Sequence, residues 1–315
     1  MNAELMRELA QPWAIMPEAL KTIYLMARDG LVSFKDRISA EQKAEIDAAM
    51  RRRNEPTSGA IAVIPVQGTI RPKRSAMEEM FGMSFGTSLD AFMANYRAAV
   101  DDPDVKAIIL DMDTPGGAVA GLPEAADEMF KLRGAKKTIA VVNHMAASAG
   151  YWLASQADEI VGTPASMTGS IGIITMHQDL TGMAEQMGVK VTLLTAGRFK
   201  SEGHPFEPLT DEAKEHTQAM LDQAYDQFVA AVARGRGVSA SAVKSGFGEG
   251  RVMFAKGALA AGMIDRIGTM RDVLGKFGAD TSGMRAEDGE GEPDDQPPIE
   301  IAARMRQRYA LLRRS

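Results

Sequence analysis

The sequence of 315 residues contains no cysteine. Disulfides, thiolate-bound metals and a cysteine nucleophile are therefore excluded, and a reducing compartment is expected. Long apolar runs are also absent, because stretches such as Ala107–Leu110 fall far short of the roughly 20 residues that a membrane span requires. Charged residues and prolines interrupt the N-terminal region, which does not have the form of a signal peptide. We expect a soluble cytoplasmic protein without a membrane anchor.

The chain has little excess charge of either sign. Its 36 basic and 42 acidic residues give a formal net charge of −6, so no broad basic field predicts a nucleic-acid partner. The four histidines show no spacing typical of metal ligands. No Gly-rich lysine motif of the Walker type is present, so no use of ATP is indicated. We expect an activity that needs no metal and no cofactor.

Changes in composition predict three segments. Residues 1–57 are predicted to form an N-terminal helical segment, in which Pro17 suits the first turn of a helix. Residues 58–275 are predicted to form the main domain. Residues 276–315 combine an acidic linker, rich in Gly, Pro, Asp and Glu, with a short Arg-rich terminal helix.

Strand and helix patterns alternate through the main domain. Short aliphatic and β-branched runs, which are typical of buried parallel strands, occur at Ile61–Val66, Ala107–Leu110, Ile139–Val142, Ile171–Thr175 and Val189–Leu194. Between them lie apolar stripes at helical spacing, such as Leu89, Phe92 and Tyr96. A longer helix is predicted from Asp211 to Ala233, with Thr210 as its N-cap. This alternation predicts an α/β fold with a mostly parallel sheet and flanking helices.

Ser148 lies where a predicted buried strand runs into a predicted helix through Trp152 and Leu153. A hydroxyl at a helix start is near the positive end of the helix dipole. The N–H of the next residue, Ala149, has no partner within the helix and is free to stabilise an oxyanion. Ser148 is therefore a candidate nucleophile, and the alternative role, a simple N-cap, is the commoner one for such a serine.

Two further segments contain residue types that a serine hydrolase needs. A strand ends in Pro115-Gly116-Gly117, and two glycines permit the close approach that an oxyanion hole requires, although an ordinary turn is the alternative. Lys200 follows Gly-Arg-Phe. A lysine acts as a base only where burial or neighbours hold its pKa far below about 10.4, and a surface lysine is the alternative. His144 precedes Ser148 by four residues, a spacing that does not require its ring to meet the hydroxyl.

Taken together and in this order, these segments resemble the signal peptide peptidase A family, which is built on the ClpP/crotonase superfamily fold. The resemblance spans about Ala60 to Val273. It rests on an ordered set of motifs: Ile61–Gly68, Thr114–Gly117, Ala147–Tyr151, Thr168–Gly172, Gly197–Lys200, Gly250–Met253, Ala261–Asp265 and Ile267–Gly268. The resemblance implies a serine-type endopeptidase.

The resemblance also implies a role for each candidate residue. Ser148 attacks the scissile carbonyl and Lys200 accepts its proton, the two residues forming a catalytic dyad. Ser170 hydrogen-bonds to the lysine amine and orients it. The backbone N–H groups of Gly117 and Ala149 form the oxyanion hole.

The loop residues Pro115 and Gly116 support this hole. The chain departs from the family pattern at two positions. Relatives commonly have Ser-Gly-Gly where this chain has Ser148-Ala149-Gly150, but alanine still provides its N–H. Relatives often have serine where Thr114 stands, and both residues offer a hydroxyl.

Gln11–Leu20 resembles the N-terminus of lambda-type phage head maturation proteases. This resemblance implies phage scaffold, portal or coat proteins as substrates, in the host cytoplasm or the procapsid interior, and the signal peptide peptidase A resemblance implies a homo-oligomer. The acidic linker and the Arg-rich terminal helix suit docking to such proteins. The alternatives are a cytoplasmic bacterial peptidase of signal peptides or protein fragments, a catalytically silent capsid-assembly protein, and a crotonase-type acyl-CoA enzyme. The last gives no role to Ser148 and Lys200.

Overall fold

The computed structural model describes residues 12–19, 61–73 and 86–278. The chain divides into two units, residues 1–273 and residues 274–315. Of the predicted N-terminal helical segment, residues 17–19 are helical. The predicted acidic linker and Arg-rich terminal helix lie outside the described residues from position 279 onward.

The described strands, in chain order, are β1 (Trp13–Ile15), β2 (Ile61–Gln67), β3 (Thr69–Arg71), β4 (Gly86–Ser88), β5 (Ala107–Thr114), β6 (Gly116–Ala118), β7 (Lys137–Ala147), β8 (Glu159–Gly162), β9 (Met167–Gly169), β10 (Val252–Phe254) and β11 (Arg266–Ile267). The described helices are α1 (Leu89–Asp101), α2 (Leu122–Lys131), α3 (Ala149–Ala154), α4 (Thr181–Gln186), α5 (Asp211–Arg236), α6 (Ala240–Gly246), α7 (Ala255–Ala260) and α8 (Met270–Gly275).

The larger sheet contains β2, β5, β7, β9 and β10 in the spatial order β10-β9-β7-β5-β2, with β8 beside β7 and β11 beside β8. Among the described pairs in this sheet, all are parallel except β9 with β10. Ala107–Leu110 of β5 are fully buried, as expected for a strand that is covered on both faces. The predicted α/β fold with a mostly parallel sheet and flanking helices is confirmed.

The smaller sheet has the order β1-β6-β3-β4. β1 runs antiparallel to β6, whereas β3 runs parallel to both β6 and β4. Only Pro115 separates the end of β5 from the start of β6. The Pro-Gly-Gly segment is therefore the point at which the chain passes from one sheet to the other.

Capping and apolar periodicity explain the two helices that were predicted in detail. The Ser88 side chain accepts the Ala91 N–H at the start of α1, and the predicted stripe of α1, including Phe92, is buried. Thr210 accepts the Ala213 N–H at 3.2 Å, which confirms the predicted N-cap of α5. None of the described helices is both long enough and apolar enough to cross a membrane.

The short helix α3 is packed against α5. The rings of Trp152 and Phe228 stack with their centroids 4.4 Å apart and their planes 7° apart. A Cβ on Gly235 would lie 2.0 Å from the Ser155 carbonyl oxygen, so glycine is what lets α5 approach the end of α3 so closely. All six residues of α3 are buried. This packing fixes the position of the residue that precedes α3, which is Ser148.

Two of the predicted strands are wrong. Ile171–Thr175 contains one isolated bridge, from Ile174 to Trp13, and Val189–Leu194 is coil that is largely exposed, with Leu194 93% exposed. Apolar composition suggests burial, but a strand also needs a neighbour for its backbone hydrogen bonds. Within the described ranges, no neighbouring strand pairs with Val189–Leu194.

Candidate active site

The carboxyl ends of three parallel strands meet at one edge of the larger sheet. Ala147 of β7 pairs with Gly169 of β9, and Thr114 of β5 pairs with β7 beside them. Ser148 follows Ala147 directly and Ser170 follows Gly169, so the two serines lie at the ends of adjacent strands. Open parallel sheets bind their ligands at this edge.

Ser148 has a backbone conformation that is rare for a residue with a side chain. Its φ is 53° and its ψ is −116°, a conformation that costs about 1–3 kcal/mol and persists only where the surroundings enforce it. Its N–H donates to the Gly169 carbonyl oxygen at 2.6 Å. Its buried hydroxyl makes no cap hydrogen bond to α3, and the one hydrogen bond that it makes to a described residue is long, 3.5 Å to the Gly172 carbonyl oxygen. Ser148 therefore occupies the N-cap position of α3 without capping the helix through its side chain, and its hydroxyl is held in a strained strand-to-helix turn of the kind that exposes a nucleophilic serine in other hydrolases.

The two glycines that follow Pro115 lie where a side chain has no room. A Cβ on Gly117 would lie 1.9 Å from the Ile70 carbonyl oxygen of β3. A Cβ on Gly116, whose φ is 107°, would lie 2.2 Å from the Ala14 carbonyl oxygen and 3.0 Å from Ser148 Cβ. The Pro-Gly-Gly turn therefore lies directly against both the candidate nucleophile and strand β1.

Strand β1 pairs with β6 beside this turn. Ala14 lies opposite Gly117, and the Met16 N–H donates to the Pro115 carbonyl oxygen at 2.9 Å. Because hydrogen-bonded pairs alternate along an antiparallel ladder, Ala14 and Gly117 exchange both of their backbone hydrogen bonds. The Gly117 N–H, a predicted oxyanion-hole donor, therefore binds the carbonyl group of Ala14.

The other predicted donor, Ala149, is the first residue of α3. An N–H at that position has no partner within the helix and is free to bind an anionic oxygen. The buried Tyr151 follows one residue after Gly150, and its hydroxyl donates to the Met263 carbonyl oxygen at 2.9 Å. Burial raises the pKa of the Tyr151 hydroxyl, so this hydroxyl remains a neutral donor that anchors α3.

Thr114 connects the end of β5 to the residues around Ser148. Its hydroxyl donates to the Gly68 carbonyl oxygen at 2.6 Å and accepts the Gly116 N–H at 3.1 Å. A Cβ on Gly150 would lie 2.4 Å from the Thr114 methyl carbon. The start of α3 and the Pro-Gly-Gly turn are therefore held in register by one side chain.

The structure does not bring Lys200 to the two serines. Ser170 is 6% exposed and has a φ of 55°, whereas Lys200 lies exposed in a turn that its N–H closes onto the Gly197 carbonyl oxygen. Within residues 12–19, 61–73 and 86–278, the Lys200 amine makes no hydrogen bond or ion pair, with Ser148, Ser170 or any other group. A general base has to come within about 3 Å of the oxygen whose proton it removes, so one chain in this conformation does not complete the predicted dyad.

His144 does not provide a substitute base. Its ring nitrogen lies 3.4 Å from a carboxylate oxygen of Asp113, and its side chain is 75% exposed, whereas Ser148 is fully buried. In the part of the chain that the structure describes, His144 makes no hydrogen bond to Ser148. The His144–Asp113 pair is a surface interaction rather than part of a triad.

Sequence reasoning missed strand β1, which lies in the segment that was predicted to be helical. The signal was a short apolar run, Trp13–Met16, between Pro12 and Pro17, a pattern typical of a short strand. Trp13 also exchanges both backbone hydrogen bonds with Ile174, each at 2.9 Å. β1 therefore lies between two backbone segments next to Ser148.

Comparison with known proteins identifies relatives of this chain. Residues 131–281 match peptidase family S49, a segment that includes Ser148, Ser170 and Lys200. The capsid assembly protease C of Escherichia phage lambda is 34% identical over 228 residues, which cover 72% of this chain and 51% of that protein. The head-tail preconnector protein GP5 of Enterobacteria phage P21 is 34% identical over 214 residues, which cover 68% of this chain and 42% of that protein.

A bacterial relative matches a longer stretch. Protease 4 of Haemophilus influenzae is 29% identical over 265 residues, which cover 83% of this chain and 40% of that protein. The chain thus spans about half the length of the lambda protein and less than half the length of the P21 and Haemophilus influenzae proteins.

Proposed function

We propose that this chain, whose residues 131–281 belong to peptidase family S49, is a serine endopeptidase with Ser148 as its nucleophile and Lys200 as its general base. The observation that carries the proposal is the conformation of Ser148. A buried serine is held at positive φ with its hydroxyl free of the helix that it precedes. Such strain is retained where function needs it.

The backbone around Ser148 supports acyl transfer. An extended segment already lies beside the serine, and its Ala14 carbonyl oxygen accepts a hydrogen bond from the Gly117 N–H, as the carbonyl of a bound peptide would. Attack by the serine oxygen on such a carbonyl creates an oxyanion, and the N–H groups of Gly117 and Ala149 are the donors proposed to stabilise it. Loss of one such donor typically costs about 10²–10³-fold in rate.

The proposed base reaches Ser148 from a second copy of the chain. Lys200 is exposed, and the segment that carries it also exposes Val189, Leu194 and Phe199. Apolar residues clustered in one exposed segment are typical of an interaction surface. A neighbouring copy that covers this segment would remove Lys200 from water beside its own Ser148 and Ser170, where Ser170 would orient the amine. The active protein is therefore a homo-oligomer with composite sites.

The proposed substrates are phage scaffold, portal or coat proteins, cleaved during capsid maturation inside the procapsid. Two relatives support this substrate class, since one is named a capsid assembly protease and the other a head-tail preconnector protein. A peptidase of signal peptides or protein fragments in a bacterial cytoplasm is the second candidate, supported by the match to Protease 4 over 83% of this chain. Both candidates use the same chemistry, and the genes that neighbour this one distinguish them.

The test of the peptidase proposal is incubation of the full chain with unfolded casein and, separately, co-expression with scaffold and coat proteins from the same genome. We expect internal cleavage of both substrates at a rate that a metal chelator does not change, because the proposed chemistry uses only side chains and backbone N–H groups. Fragments are identified by mass spectrometry. A folded, assembled chain that cleaves neither substrate would favour the catalytically silent assembly protein instead.

The contact between Gly150 and Thr114 predicts a loss of activity that a second substitution repairs. We expect Gly150→Ala to lower kcat/KM for casein about 10²-fold, because the new methyl group collides with the Thr114 methyl group and displaces the start of α3. Thr114→Ser alone keeps the anchoring hydroxyl and should retain activity. The double variant should recover most of the lost rate, and a double variant as slow as Gly150→Ala would refute the steric explanation.

A further inference from the structure

Strand β1 is bound as an extended substrate would be bound. Its backbone forms hydrogen bonds on both sides: the Val119 N–H donates to the Pro12 carbonyl oxygen at 3.3 Å on the β6 side, and Trp13 bonds to Ile174 on the other. Residues Trp13, Ala14 and Ile15 are at most 2% exposed. Strand addition of this kind, with main-chain bonds on alternating sides, is a general mode of peptide recognition.

The register places one peptide bond at the candidate nucleophile. The carbonyl group of Ala14 receives the Gly117 N–H, which is the proposed oxyanion donor. The same carbonyl oxygen and Ser148 Cβ both lie within 3.0 Å of the point that a Gly116 side-chain carbon would occupy. The Ala14 carbonyl oxygen and the serine side chain therefore both lie next to the same point beside Gly116. The bond that follows this carbonyl joins Ala14 to Ile15.

We propose that the chain cleaves itself between Ala14 and Ile15, an inference that rests on the proposed peptidase function. The Ser148 oxygen bonds to the Ala14 carbonyl carbon while the Lys200 amine of the composite site takes the hydroxyl proton. The Ala14–Ile15 C–N bond breaks, and the Ile15 nitrogen receives that proton and becomes a new amino terminus. Water then hydrolyses the Ala14 ester, which releases residues 1–14 with a terminal carboxylate and restores the Ser148 hydroxyl.

Because Lys200 is separated from Ser148, the Ala14–Ile15 bond of β1 stays intact in a single chain. The strand occupies the cleft beside the nucleophile, but the proposed base is exposed and out of reach. Cleavage therefore follows assembly, when a second copy provides the lysine. Removal of residues 1–14 clears the edge of β6 for other substrates, and the residue before the cut, Ala14, indicates a cleft that accepts a small apolar side chain at that position.

The test uses the full chain, produced as wild type, Ser148→Ala and Ile15→Pro, with casein cleavage measured on the same samples. We expect N-terminal sequencing and intact mass to show a wild-type chain that begins at Ile15 and a Ser148→Ala chain that retains residues 1–14. Ile15→Pro should retain them as well, because a peptide bond to proline is a poor substrate, and should cleave casein more slowly than the wild type, because the uncut strand stays in the cleft. The fold should tolerate this substitution, because alternation leaves the Ile15 N–H out of the ladder with β6.

Failure of the self-cleavage inference and failure of the proposed peptidase function give different results. A wild type that cleaves casein but keeps residues 1–14 overturns the self-cleavage inference and leaves the proposed function standing. A new terminus at a residue other than Ile15, or an Ile15→Pro chain that is still cut after Ala14, also overturns it. A wild type that cleaves neither casein nor itself overturns both proposals.

Discussion

The Ser148→Ala protein is expected to cleave casein about 10⁴-fold or more slowly than the wild type, the loss typical of removing a hydrolase nucleophile. The substitution removes the only atom that forms the acyl bond in the proposed mechanism. Among the residues that the structure describes, the hydroxyl makes one long hydrogen bond, to the Gly172 carbonyl oxygen at 3.5 Å, so its removal should leave the free energy of unfolding almost unchanged. Steady-state cleavage rates and thermal melting curves of the two proteins measure both effects.

Ser155→Ala is the matched control for this variant. Ser155 is also fully buried and lies at the other end of α3, where its hydroxyl donates to the Trp152 carbonyl oxygen at 2.8 Å. The same hydroxyl accepts the Gln156 side-chain amide at 2.7 Å, so its removal breaks two buried hydrogen bonds. The substitution should lower stability by about 1–3 kcal/mol and leave the cleavage rate within a small factor of the wild type. If Ser148→Ala retained wild-type activity, or if Ser155→Ala lost activity to the same degree without unfolding, Ser148 would not be the nucleophile.

Lys200→Ala is expected to lower casein cleavage about 10²–10⁴-fold, the usual contribution of a general base. In the structure the Lys200 side chain is exposed and makes no hydrogen bond or ion pair to any described group, so its loss should not destabilise the fold of one chain. Lys190→Ala, which removes another exposed lysine of the same segment, is the matched control and should retain activity. The measurement is the initial rate of cleavage at equal concentrations of assembled protein.

Mixing the two inactive variants separates a composite site from a site within one chain. Co-assembled Ser148→Ala and Lys200→Ala chains should recover about a quarter of the wild-type activity, because half of the copies provide an intact serine and half of their neighbours provide an intact lysine. If the dyad formed within one chain, every copy would lack one of the two residues and the mixture would remain inactive. Activity regained on mixing therefore depends on contact between copies.

The sequence determined the parts of this protein that depend on local patterns. Short β-branched runs alternating with helical stripes were sufficient to predict the parallel strands β2, β5 and β7 and the helices α1 and α5, because the period of apolar residues reflects which faces are buried. The ordered motifs from Ile61 to Gly268 were sufficient to recognise the signal peptide peptidase A type, which the match of residues 131–281 to peptidase family S49 confirms. Ser148 was identified as a candidate in the same way, because it lies among small residues where a predicted strand runs into a predicted helix.

Only the tertiary structure decided what lies around that serine. Trp13–Ile15 became a strand because β6 and Ile174 offer backbone groups on both sides, and such partners are distant in sequence and invisible to local periodicity. Val189–Leu194 has the same apolar character, yet within the described residues it finds no neighbouring strand and stays coil. The positive φ of Ser148 likewise arises from packing on α3 and β9, since no local preference of serine favours it. Residue type thus marked the candidate nucleophile, whereas long-range hydrogen bonding determined which peptide segment lies beside it.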